Sequence, residues 1–233
     1  MIGLQNLPQI ITAIGGLGTA AFGIVDATKV FGGGANHIGF KGIRAAVTQL
    51  TPPAAAGAGQ PVNALSQQKV LATLQANWFN GTDLGSQKSI AKSLIKLNLN
   101  AGNAAALAAA TSVDPDALTA VATSIASGTP LTSAQSDVFA RFDLIVTALL
   151  DEAYQHGDQV YRNGTRALAM MTSVVLALIG GIVLHNAGSE LSWQLDMFEA
   201  LLVGLLATPL APIAKDLSSA LATAVNTMQL VKK

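Results

Sequence analysis

The sequence predicts an all-α integral membrane protein, with about three transmembrane helices and a small helical cytoplasmic domain between the first and second spans. Three observations point there. The chain is 51% hydrophobic and only 11% charged over 233 residues, too little charge to cover a soluble surface of that size. The run from Ala167 to Leu184 contains no charge and no proline, and its length is the minimum for crossing a hydrocarbon core. Elsewhere the apolar residues recur with helical spacing, and alternating strand patterns are almost absent. Equal numbers of acidic and basic residues leave no basic field for nucleic acid, and the absence of cysteine excludes disulfides, thiol catalysis and cysteine-ligated metals.

The first element, within residues 1–31, is an apolar segment from Gln9 to Phe31, long enough to cross but rich in glycine and carrying Asp26 near its end. Glycine weakens a helix interior, so this span needs neighbours to support it. No Lys or Arg precedes it, so it lacks the positive start of a cleaved leader and is expected to be retained.

Residues 32–165 are richer in Asn, Gln, Ser, Thr and Lys and predict the helical cytoplasmic domain. A short helix over Ile43–Leu50 precedes a linker at 51–61, TPPAAAGAGQP, whose prolines and glycines preclude regular structure. Asn63 is the expected cap of a helix with Leu71, Leu74 and Trp78 on one face, and Ile90, Leu94 and Leu97 form the next apolar stripe. Asp114-Pro115 reads as a helix start, cap followed by proline at the first position. Leu118, Val121 and Ile125 continue that helix until Gly128 and Pro130. From Thr132 onward a single long helix is expected to run into the membrane, with Gly157 and Gly164 as the alternative hinge positions.

Residues 166–214 predict a transmembrane hairpin: the Ala167–Leu184 span, then one from Met197 to about Ala214, where Pro209 and Pro212 are expected to kink or end the helix. Residues 215–233 predict an amphipathic C-terminal helix. Arg162 and Arg166 precede the second span, Lys215, Lys232 and Lys233 follow the last, and Lys29, Lys41 and Arg44 follow the first. The loop from His185 to Asp196 contains no Lys or Arg. The positive-inside rule therefore predicts a multi-pass protein with its N-terminus outside and its C-terminus cytoplasmic. A two-span protein with an interfacial first segment satisfies the same charge bias.

Gly15, Thr19 and Gly23, with Gly16 alongside, place small residues on one side of the first span, and Gly180-Gly181 makes a flat patch on the second. Such surfaces permit close helix contact within one chain or between chains. Asp26 and Glu199 are the intramembrane acid candidates, since an ionisable group in a span is costly. Lys29, three residues from Asp26, offers it a local ion pair, and a relay between the two acids is not expected because they lie toward opposite leaflets. His37, His156 and His185 are scattered without metal-ligand spacing, so no metal or cofactor is expected. The FGGGANHIGFKG run matches neither common phosphate-loop pattern and reads as a turn.

The stretch TPLAPIAKDLSSALATAV, Thr208 to Val225, together with the Phe142-Asp143 and Tyr161-Arg162 pairs, resembles a poorly characterised group of bacterial inner-membrane proteins. In that group a last span ends in a small-residue and proline motif followed by an Asp-Leu helix. Aromatics usually follow the proline, where this chain has Ile213 and Ala214. The resemblance covers less than half the chain and implies a bacterial inner membrane, with no activity attached. With no catalytic signature, the expected role is that of a non-enzymatic structural or accessory subunit, whose partners are the lipid bilayer and other membrane proteins or copies of itself. The alternative is a homo-oligomeric channel.

Overall fold

A computed structural model describes the backbone of residues 7–53, 66–188 and 191–231, and side chains over 10–53, 66–188 and 191–212. Every regular element among the described residues is helical. The chain forms two units, residues 1–35 with 162–233, and residues 36–161.

The unit of residues 36–161 contains α2 (His37–Gln49), α3 (Gln67–Phe79), α4 (Leu84–Asn98), α5 (Ala104–Thr111), α6 (Pro115–Ser127) and the first part of α7 (Ser133–Asn186). Its core is built from Phe40, Ile43 and Val47 of α2, Val70, Leu74 and Trp78 of α3, and Phe142, Val146, Leu150 and Tyr154 of α7. Side-chain caps fix the helix starts. Ser66 accepts from Lys69 N, Asp83 from Ser86 N and Asp114 from Ala117 N, each satisfying an amide that the first turn leaves open. The Ser86 hydrogen bonds, side-chain and backbone, hold the Asp83 carboxyl below its usual value. Gly128 ends α6 in the left-handed conformation, at φ +68°. The Trp78 indole donates to Asn36 O (2.8 Å) while Asn36 Nδ2 donates to Phe79 O (3.2 Å), tying the start of α2 to the end of α3.

Three sequence expectations need correction here. The predicted cap Asn63 lies outside the described residues, as does most of the 51–61 linker, and Ser66 caps α3 instead. On α4 the buried face is Gln87, Ala91, Ile95 and Asn98, whereas Leu97 is 74% exposed. Ile90 and Leu94 pack at the edge of this face, but Leu97 falls outside it because the buried positions centre near Ala91. Lys88, Lys92 and Lys96, one helical turn apart, pair with Asp151 and Asp143 of an antiparallel α7. Ile125 is likewise nearly half exposed, and Ala122 takes its inward place beside Leu118 and Val121.

The other unit holds α1 (Leu7–Ala27), two short 3₁₀ turns, the remainder of α7 and α8 (Trp193–Val231). Three helices here are long and apolar enough to cross a membrane: Ile10–Val30, α7, and Trp193–Pro212. The last begins four residues earlier than the sequence suggested. It also does not end at its prolines, since α8 continues through Pro209 and Pro212 to Val231. Each proline removes one backbone bond, freeing the carbonyls of Leu205 and Thr208; next to them in sequence, Gly204 O accepts from Ser173 Oγ of α7 (2.7 Å), which also lies 3.3 Å from Thr208 Oγ1. α7 is helical without interruption from Ser133 to Asn186, through Gly157 and Gly164. Gly157 has another use. A Cβ there would lie 3.0 Å from Gly39 O of α2, so the two glycines let α2 and α7 touch backbone to backbone.

Candidate functional site

The three apolar helices meet through small residues. A Cβ on Gly18 would stand 2.1 Å from Ala207 O, one on Gly204 2.5 Å from Val174 Cα, and one on Gly181 2.9 Å from Ala200 Cβ. α8 therefore touches α1 through Ala207 and Ala211 and α7 through Ala200 and Gly204. α1 runs parallel to α8 and α7 antiparallel to it. Large apolar side chains point the other way: Met171, Val175, Ile179 and Val183 of α7 and Phe198, Leu202 and Leu206 of α8 are all 43–66% exposed. Small residues inside and large apolar ones outside invert the order of a water-soluble core, and suit helices whose solvent is lipid.

Where the helices diverge, they leave a crevice of about 390 Å³. Ile14 and Leu17 of α1, Leu176 and Leu184 of α7, and Val203 of α8 supply its apolar walls, and Asp196 and Glu199 lie toward one end. Gly180 borders it with no atom within 4 Å of where a Cβ would be. Asp196 is buried to 9% exposure, and His185 Nδ1 approaches its Oδ2 at 2.7 Å. Trp193 meets the His185 ring edge-on at 5.2 Å. The end of α7 and the start of α8 thus bring together a histidine–carboxylate pair beside an apolar cleft.

The small residues of α1 divide between two faces. Gly15, Gly18, Ala21 and Val25 are buried, whereas Gly16, Thr19, Ala20 and Gly23 are exposed, with nothing within 4 Å of a Cβ on Gly16 or Gly23. The predicted ladder of Gly15, Thr19 and Gly23 is therefore split, because the contact with α8 is centred on Gly18. Thr19 Oγ1 donates to Gly15 O of its own helix (3.0 Å). The patch at Gly180-Gly181 splits too, Gly181 against α8 and Gly180 on the crevice.

Asp26 forms the expected ion pair with Lys29, and its side chain is 70% exposed. It lies nine residues beyond the last α1 residue on the crevice, so the structure does not join it to Glu199. The glycine run after α1 is a closed turn. Amides of Phe31, Gly32, Gly33 and Gly34 donate to carbonyls between Thr28 and Phe31, and Ala35 N donates to Thr28 Oγ1, which leaves no cradle of open N–H groups for a phosphate. Gly32, Gly33 and Gly34 all have positive φ.

No family model matches the chain, and no curated protein or solved structure does either. Function must be read from the site. Among the described residues no three His, Cys, Asp or Glu side chains gather as metal ligands. Sequence reasoning missed Gly18, Gly204 and the His185–Asp196 pair. The signal for Gly204 was present: Ala200, Gly204, Ala207 and Ala211 recur at three- and four-residue intervals, a small-residue seam of the kind that brings membrane helices together. The pair carried no such signal, since its members belong to different helices, 11 residues apart.

Proposed function

We propose that this is a non-catalytic structural or accessory subunit of a bacterial inner-membrane assembly. The observation that carries the reading is the second, unused small-residue face of α1. Gly16, Ala20 and Gly23 line it, on the side turned away from the Gly18 contact with α8. A glycine face of this kind packs poorly against lipid chains and closely against another helix. The inverted packing of the three helices supports the membrane location, and the basic residues flanking the spans support an N-terminus outside with the helical unit of residues 36–161 in the cytoplasm.

The test uses the outward glycines. Gly16→Leu and Gly23→Leu add side chains where the monomer has open space, so they should leave it folded and break only contacts with other chains. Extracted with native lipid, the wild type should run as a larger assembly and the two variants as monomers. A wild-type monomer without partners would refute the reading. The channel alternative draws less support, because Thr19 and Thr28 bond to their own helix and Asp26 is paired with Lys29.

A further inference from the structure

The crevice between α1, α7 and α8 is a different surface from the open face of α1, and its chemistry is two-ended. Over the eight helical steps from Leu184 to Leu176 it extends roughly 12 Å along α7 at the rise of an α-helix, with apolar walls from all three helices. At one end stand two carboxylates, Asp196 and Glu199, one turn apart on α8. His185 faces Asp196, whereas Glu199 is exposed. Among the described residues no lysine or arginine lines the crevice. Gly180 keeps it open, for a larger residue there would extend into its volume.

We propose that this crevice seats one acyl chain of a phospholipid whose head group carries a primary amine, with the ammonium on Glu199 and Asp196 at its mouth. The proposal rests on the membrane reading above. Apolar walls facing lipid accommodate a hydrocarbon chain, and the acidic mouth selects the head group: an ammonium donates three hydrogen bonds to carboxylates, a quaternary head group donates none, and an anionic one is repelled. Anionic lipids are attracted to basic patches, and among the described residues no lysine or arginine lines this end.

The experiment is native mass spectrometry of the full chain, purified in mild detergent and offered equal amounts of dioleoyl-phosphatidylethanolamine, -phosphatidylcholine and -phosphatidylglycerol. The wild type should retain the ethanolamine lipid about three- to five-fold over the glycerol lipid, the scale of a partly exposed charge pair. Gly180→Leu should abolish that retained lipid without lowering helicity or the melting temperature. Glu199→Gln should keep a bound lipid but bring the head-group ratio close to one. Equal retention of the three lipids by the wild type, or undiminished retention by Gly180→Leu, would overturn the proposal. Alkaline carbonate extraction separates its failure from that of its premise: release of the chain from vesicles would overturn the membrane reading and the lipid site together, whereas firm retention with unselective lipid binding would overturn the lipid site alone.

Discussion

Ser112 stands in the left-handed region, at φ 52°, where it ends α5. A Cβ makes that conformation costly and glycine removes the cost, so Ser112→Gly should stabilise the chain by about 0.5–1 kcal/mol in chemical denaturation. Tyr154 is fully buried and its hydroxyl has no hydrogen-bond partner among the described residues, and burial pushes its ionisation up. Tyr154→Phe deletes an unsatisfied group without leaving a hole, and should be neutral or stabilising by up to ~1 kcal/mol; a clear loss of stability would mean the hydroxyl is bonded after all. Ser173 joins α7 to α8 through Gly204 O, and Ser173→Ala should weaken that contact by about 0.6–1.7 kcal/mol, measured by unfolding in mixed micelles. At this scale the sequence announces the bounds of α6 but misplaces the cap of α3, which is Ser66. Asp114-Pro115 and Gly128 hold the positions their chemistry demands. It announces pairs poorly, because Ser173 and Gly204 or His185 and Asp196 become neighbours only once whole helices are placed.

Helix α4 shows why an apolar stripe alone can mislead. Ile90 and Leu94 do pack against the core, but Leu97 does not, because the buried positions centre near Ala91; Lys88, Lys92 and Lys96 reach Asp151 and Asp143 beside them. The hydrogen bond from Lys96, reinforced by the charges of Lys96 and Lys92 against a partial opposing effect of burial, holds the Asp143 carboxyl below the usual range. A carboxyl lowered in the folded state contributes stability above its unfolded value and loses it as the pH falls through the folded one. The melting temperature of the chain should therefore drop below about pH 4, and Asp143→Asn should lower it at neutral pH while flattening the acid dependence. Glycines mislead in the opposite way. Gly157 invites reading as a hinge, but its neighbour Gly39 explains it as a close approach, and Gly157→Leu should disturb the packing of α2 rather than stiffen α7.

For the molecule as a whole, low charge and high apolar content made legible that the chain has helices apolar enough to cross a membrane. The number of long apolar helices was also legible from length and hydropathy. Their contacts were not, because glycine ladders fit several faces equally and only the seam on α8 decides which are used. The proposed orientation is directly testable in a chain that has no native cysteine. A cysteine at Ser192 should react with an impermeant maleimide on intact cells, and one at Ser89 only after permeabilisation. The seam on α8 also has a consequence in time. α1 is made first, but the residues that cover Gly18 follow roughly 190 positions later, which at ribosomal speeds of 5–20 residues per second is about 10–40 s. On the membrane reading proposed above, the nascent first helix spends that interval with both of its glycine faces uncovered, until the last helix arrives to claim one of them.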